Sequence, residues 1–343
     1  MMLDFSKIRF ISVDKITGEE IQEFSNTSEI TDSDNDTVDY MVEIPPLYFK
    51  TEMANGKWQK RYSYDYKIGY TLHPTFIHNN KVCKRRIGAF EGYIDADNRL
   101  RSIPFVQPTT EKTIAQFRTA AKNRTTSSKN SFGLKTGYDY GLLGDLFALK
   151  YANLNSQATL SDGINNLDNG TGNHSQNTGH TLSLGSQMDG EVSITPENGA
   201  TGASSTNPFR FLWIENLWGN VWEFLDGFFK TADGLYFGEE NDLANPANMK
   251  EFYPRDVTEY RSGYVDKADK RIPWGIIPDV SFGGSSSTFL ADYMWYNAGE
   301  RIALSGASWY DGSLAGLLAL GLYVASSASG RSVGARLAGF REV

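Results

Sequence analysis

Three things are scarce in this 343-residue chain, and each scarcity excludes a class of function. Cysteine occurs once, as Cys83. A disulfide framework, a Cys-rich zinc site and any chemistry needing two thiols are therefore excluded. Positive charge is outweighed: 33 Lys and Arg against 41 Asp and Glu leave a net charge of −8. Nucleic-acid backbone binding needs the opposite balance, so no nucleic-acid partner is expected. The one basic cluster, Lys81 to Arg86, is interrupted by Val82 and Cys83 and reads as a solvated strand edge. Long apolar runs are missing as well. The uncharged stretch Gly312 to Gly330 is continuously apolar only from about Leu314 to Ala325, short of the roughly twenty residues that span a bilayer. No membrane insertion is expected. The first residues, MMLDFSKIRF, lack the charged start and apolar core of a secretory signal, so synthesis and assembly in a cytoplasm are expected.

A fourth absence is local. Between Ile302 and Arg341 there is no Lys, Glu, Gln or Met, and Ala, Gly, Ser and Leu dominate. Lys and Glu are among the commonest residues of globular proteins, so this segment obeys a rule of its own. A punctuated frame runs through it: Gly306, Trp309, Gly312, Ala315-Gly316 and Gly334-Ala335-Arg336. Side chains of unrelated character sit between those points: Ala307, Ser308, Tyr310, Asp311, Leu314, Ala319, Gly321, Tyr323, Val324, Gly330, Arg331 and Ser332. A frame holding arbitrary side chains suits a binding surface better than a catalytic one. Tyr310 and Tyr323 offer rigid contact area at small entropy cost.

Upstream, residues 1–44 read as an acidic arm suited to oligomerisation or attachment, and residues 45–343 as the main domain. Within the arm, Ile8 and Phe10, then Ile11 and Val13, alternate as a strand with a register break between Phe10 and Ile11. Asp32-Ser-Asp34-Asn-Asp36 with Glu43 matches most carboxylates of a calcium loop, but Thr37 stands where the sharp turn needs Gly, so an exposed acidic loop is expected. Pro45-Pro46 breaks the chain, and short aromatic strands follow to Tyr93. Two helices are predicted. One runs from about Thr110, its N-cap, to Asn123, with Ile114, Phe117 and Ala121 on one face. The other runs from about Tyr140 to Tyr151, with Leu142, Leu146 and Leu149 on one face. Asn153 to Asn207 reads as loops; its His174 and His180 read as loop histidines, and its Asn169 and Asn173 triplets as compositional. From Phe209 to Leu225 the chain is strongly apolar, with Trp213, Trp218 and Trp222, and is the expected core.

Gly219-Asn220-Val221-Trp222-Glu223-Phe224 carries a resemblance. GNVWE followed by an aromatic is similar to the signature of the formylglycine-generating-enzyme subtype of the C-type lectin fold, and the close on Gly339-Phe340-Arg341 resembles the end of that fold. The implied class is α+β, with two helices packed on short twisted sheets and long loops. The enzyme of that family works through thiols near its C-terminus. This chain has none there, so no catalytic residue and no cofactor carry over, and no enzymatic activity is expected. Glu223 is expected to be a buried carboxylate hydrogen-bonded to Asn216 and Asn220. The C-terminal pattern also resembles the variable proteins of diversity-generating retroelements and related phage tail receptor-binding proteins. In those systems randomised adenine codons yield Tyr, Asp, Ser, Gly, Ala, Val, Leu or Arg but not Lys, Glu, Gln or Met.

The resemblance thus implies a variable region at about 303–340, with the intervening side chains named above as ligand-binding positions. Gly219, Asn220, Trp222, Glu223, Gly306, Trp309, Gly312 and Gly316 become the scaffold. It implies a host-surface protein or other macromolecular receptor as partner, a homo-oligomer of trimeric type, and a place on the virion, with the cell surface second. A fixed-sequence tail protein of the same fold is the alternative, with an oxidase of that fold behind it. No ligand set for a metal is named.

Overall fold

The computed structural model describes residues 3–343 apart from residues 55, 128, 168–170, 202–205 and 256–258. Asn169 lies outside the described residues. The fold is mixed α+β and dominated by sheet, with 16% of residues helical and 33% in strands.

Two large sheets carry it. The first has seven strands in the order Asn130–Leu134, Leu337–Glu342, Lys81–Gly88, Val38–Ile44, Arg9–Asp14 and Glu20–Phe24, with Ile77–His78 hairpinned onto Lys81–Gly88. The second has eight: Glu251–Pro254, Gly234–Phe237, Trp222–Lys230, Arg301–Ser305, Leu320–Val324, Tyr293–Tyr296 and Arg261–Tyr264, with Val333–Gly334 parallel to Trp222–Lys230. The end of the chain therefore serves both sheets.

The arm expected over residues 1–44 is not an arm. Arg9–Asp14 and Val38–Ile44 are interior strands of the first sheet, and every residue of Val38–Ile44 is buried. Nor does the register break at Phe10 and Ile11. Phe10 faces one core with Tyr40, Val42, Leu142 and Trp218, while Ile11 and Val13 face another with Met41, Phe117 and Trp222. A strand covered on both faces loses its polar alternation, which is why consecutive apolar residues mimicked a break. The acidic stretch Asp32–Asp36 forms a short 3₁₀ turn.

The basic run is corrected too. Lys81–Gly88 lies between two other strands, and Arg85 and Arg86 are buried. Arg85 Nε donates to Asp139 at 2.8 Å and Arg86 Nε to Glu43 at 2.9 Å. Burial opposes ionisation of Glu43, but hydrogen bonds from Arg9 and Lys84 outweigh it and hold the carboxyl down at about 2. Buried charges are tolerated when they are paired in this way.

Both predicted helices are present with different starts. The first is Ile114–Lys122, capped by Thr113, whose hydroxyl accepts from the Gln116 amide while Gln116 accepts from the Thr113 amide. This reciprocal box defeats the expected cap at Thr110, because Glu111 sits at φ +59° and cannot continue a helix. The second is Gly137–Tyr151, boxed by Thr136 and Asp139. It is buried around its circumference from Gly137 to Phe147, and a Cβ on Gly137 would meet Phe228 at 2.6 Å. It is a core helix between the sheets, not a one-faced surface helix.

A chain beginning at Pro45 is expected to lose cooperative unfolding and its near-ultraviolet dichroism, since two interior strands go with it. A native-like spectrum from that truncation would restore the arm.

Candidate ligand-binding surface

GNVWE and the glycine-punctuated tail meet in space. The Gly219 amide donates to the Gly306 carbonyl at 3.1 Å, and the Trp309 amide to the Asn220 carbonyl at 3.1 Å. Gly306 has φ +92°, and a Cβ there would lie 2.7 Å from the Leu217 carbonyl oxygen. Gly316 is required by contact: its Cβ would fall 2.0 Å from Asp292 Oδ1. Asp292 accepts from the Leu318 amide, and burial, only partly offset by that bond, lifts its carboxyl to about 7. Trp309 is fully buried and stacks near His174 at 6.2 Å. Gly312, at φ +57°, turns the chain on the surface side. These positions act as a frame.

Glu223 is buried, but its partners differ from expectation. Arg336 Nε donates to Glu223 Oε1 at 2.7 Å, and Lys135 Nζ donates to Oε2. Burial pushes the Glu223 carboxyl up, and Arg336 and Lys135 outweigh it, so it stays below the usual range. Asn216 and Asn220 sit in left-handed turns at φ +50° and +55°. Those turns send their amides to Glu91 Oε2, at 3.2 and 2.6 Å, instead of to Glu223. Burial lifts Glu91 to about 8 against the pull of Arg336.

The twelve side chains expected at the ligand divide in two. Tyr310, Asp311, Leu314, Tyr323, Val324, Gly330 and Arg331 are partly exposed. Ala307, Ser308, Ala319, Gly321 and Ser332 are buried and belong with the frame. Ala307 is a left-handed residue at φ +68°. The Ser308 amide and hydroxyl both donate to Asp311 Oδ2 at 2.7 Å. Ala319 is in the core shared with Trp222. Gly321 lies under the Tyr323 ring, where a Cβ would be 2.7 Å from Cε1. Ser332 Oγ meets the Tyr310 hydroxyl at 3.3 Å. Small residues in this tail are mostly small because something lies against them.

Strands outside the tail complete the surface, and these the sequence reading missed. Tyr264 packs edge-on to Tyr293 with centroids at 5.2 Å; Tyr293 lies 4.6 Å from Trp295, and Trp295 lies 5.2 Å from Trp222 and 6.4 Å from Tyr323. Tyr264 and Tyr293 pair across one ladder, and Trp295 and Gly321 across the next. The signal was Tyr293-Met-Trp295, aromatics two apart and so on one face of a strand. Tyr264 OH reaches Ser313 Oγ at 2.9 Å, tying this row to the tail. At the far rim the Arg331 guanidinium stands 6.0 Å from the Tyr310 ring centroid. Burial raises Asp311 above the ordinary carboxylate range, although Ser308 and the Trp222 side chain hydrogen-bond to it. The result is an aromatic row flanked by an acid and a guanidinium, a composition suited to macromolecular contact. Among the described residues no three His, Cys, Asp or Glu side chains converge as a metal site, and no helix is long and apolar enough to cross a membrane.

No protein-family model matches the chain, and no curated protein matches it in sequence.

Two predictions follow from this geometry. Glu91 keeps its proton to about pH 8 in the fold, whereas an unfolded glutamate releases it near 4.3. Between those values the native state binds more protons, so this group's contribution to stability falls as pH rises, by up to about 1 kcal/mol per pH unit. Glu91→Gln abolishes that slope, and urea denaturation of both proteins from pH 5 to 9 should show their difference changing with pH and levelling off above about 8. His73, held neutral down to about 3 by burial, acts oppositely in both proteins and cancels in the comparison. Second, Gly316→Ala should destabilise by about 1–3 kcal/mol through overpacking, whereas Leu314→Ser should cost under about 1 kcal/mol. Equal losses would remove the distinction between frame and display.

Proposed function

We propose that this chain is a receptor-binding protein of the C-type lectin fold, formylglycine-generating-enzyme subtype. Its segment at about 303–340 presents side chains to a macromolecule on a host surface, most simply from a phage tail. One observation carries the reading: Glu223 of GNVWE is held by Arg336 of the terminal Gly-Ala-Arg. The two stretches that carry the resemblance are thus partners in space as well as similar in sequence. The division of the tail into a packed frame and a half-exposed set supports it further, as does the absence of Lys, Glu, Gln and Met there.

The displayed set in this reading is Tyr310, Asp311, Leu314, Tyr323, Val324, Gly330 and Arg331, and Tyr264, Tyr293 and Trp295 form a constant flank. One patch of this size binds modestly. An oligomer of the trimeric kind would multiply its affinity by roughly a hundred to ten thousand through avidity. The lack of Asn after Asn297 favours the second reading, a tail protein of the same fold with fixed sequence.

Sequencing the coding locus in sibling isolates separates the two. Diversification requires a neighbouring reverse transcriptase, an imperfect template repeat differing at adenines, and variation at codons 310, 311, 314, 323, 324 and 331 with constancy at 306, 309, 312 and 316. An invariant tail without such a repeat leaves the fixed-sequence reading. Replacing Tyr310 and Tyr323 together by Ala should weaken attachment of the purified protein to host cells by at least about tenfold; unchanged attachment would sink both readings.

A further inference from the structure

At the first sheet's edge strand, three side chains distant in sequence form a hydrogen-bonded line. Ser131 Oγ lies 3.2 Å from His78 Nε2, and His78 Nδ1 lies 2.6 Å from Glu239 Oε2. The fold holds each of them. His78 is fixed by a two-residue hairpin whose Asn79 and Asn80 have φ +49° and +61°, the left-handed pair that tight hairpins use. Its ring lies flat on Phe340, with centroids 4.4 Å apart and planes 8° apart. Ser131 is the ladder partner of Phe340, so stacking on Phe340 brings the imidazole to the serine. Glu239 is held by His78 and by an ion pair with Lys250; these bonds overcome burial and keep its carboxyl at about 2. An ionised carboxylate on Nδ1 selects the tautomer with the lone pair on Nε2, facing the hydroxyl. The Asn79 amide also reaches that lone pair, at 3.0 Å, and competes with Ser131 for it.

A cavity of about 290 Å³ opens onto the line, bounded by His78, Ser131, Glu239, Phe340, Arg85 and Lys122 among others. Its two cations are already matched, Arg85 by Asp139 and Lys122 by Glu240, so an uncharged substrate fits it better than an anion. The size admits a small acyl group.

We propose that Ser131, His78 and Glu239 form a serine-nucleophile site that cleaves short-chain acyl esters, an activity separate from the aromatic surface. Ser131 Oγ would bond to the acyl carbon while its proton passes to His78 Nε2. Collapse of the tetrahedral adduct breaks the ester C–O bond, and His78 returns the proton to the departing alkoxide. Water then gives a proton to His78 and attacks the acyl-serine, which releases the carboxylic acid and restores the Ser131 hydroxyl. Ser131 and His78 are the catalytic residues, and Glu239 is a positioning residue.

The test is covalent labelling of the full-length folded protein with a fluorophosphonate probe, with the adduct located by peptide mass spectrometry and p-nitrophenyl acetate turnover measured alongside. Labelling at Ser131 is expected, absent in Ser131→Ala and slowed by about a hundredfold or more in His78→Gln. Glu239→Gln should slow it and move the pH profile of labelling, which a purely structural carboxylate would leave in place. Thermal melts of each variant check that the fold survives. A folded wild-type protein that takes no label at Ser131, or labels there no faster than at other exposed hydroxyls, overturns the proposal.

Discussion

Everything else in the molecule is arranged around one buried carboxylate. Glu223 is shared between Arg336 and Lys135, and each of the three comes from a different part of the chain. Lys135 closes the first sheet's edge strand and leads into the cap of the central helix. Arg336 precedes the final strand of that sheet, and Glu223 begins the long strand of the second. Backbone bonds run through the same junction: Lys135 donates to the Arg336 carbonyl at 3.0 Å and accepts from Asp226 at 2.9 Å. Arg336 also donates to the carbonyls of Gly88, Glu215 and Asn216. Desolvating three charges is expensive, and losing one partner leaves the others buried and uncompensated, typically at a cost of about 3–5 kcal/mol. The cluster therefore works as a registration device between the sheets.

That registration also holds the backbone of the C-terminal segment in place. The tail enters and leaves through fixed points: Gly306 against Leu217, Trp309 on the Asn220 carbonyl, Gly316 against Asp292, and Arg336 on Glu223. Between them the backbone is pinned by its own hydrogen bonds and by buried small residues such as Ala307 and Ala319. Rim side chains take part in this to different degrees: Asp311 ties its own turn through the Ser308 amide, and Tyr323 leans on Trp222. Tyr310 sits at the margin of this frame: it touches the buried Ser332 and the rim residue Arg331 and packs edge-on against Trp309, which lies with Ile164, Leu167 and Val221.

What could be read from the sequence was local or motif-like. The core segment from Phe209, the two helices, the break at Pro45-Pro46 and the frame of the tail all have signals within a few residues of themselves. What could not be read was pairing at a distance. Arg85 and Arg86 look like a solvated edge until Asp139 and Glu43 are placed beside them. Residues 1–44 look like an acidic arm because their carboxylates are partners of arginines far downstream, Glu43 of Arg86, Asp39 of Arg101 and Arg124, and Glu19 of Arg341. Asn216 and Asn220 are near Glu223 in sequence, yet their left-handed backbone turns them to Glu91. Ser131, His78 and Glu239 are separated by 53 and 161 positions, and no spacing rule joins them. The capping box at Thr113 and the alternating Tyr293 and Trp295 are different: both signals were present and outweighed by a neighbouring residue of stronger appearance.

The packing of the tail also limits which side chains its positions can hold. Gly321 and Tyr323 are two apart on one strand, so they share a face, and the Tyr323 ring occupies the space a Cβ at 321 would need. A side chain introduced at 321 forces the ring at 323 to rotate away, and that ring in turn leans on Trp222 and Trp295. Asp311 and Ser308 are coupled in the same sense, because the Ser308 amide and hydroxyl both donate to the partly exposed acid. Removing the Ser308 hydroxyl leaves Asp311 with the backbone amide of 308 and the Trp222 side chain as donors, one bond fewer for a carboxylate held largely away from water. Positions 308 with 311, and 321 with 323, therefore constrain one another. In the proposed reading, the frame residues Ser308 and Gly321 limit what positions 311 and 323 accept, so the repertoire is smaller than the product of the exposed positions.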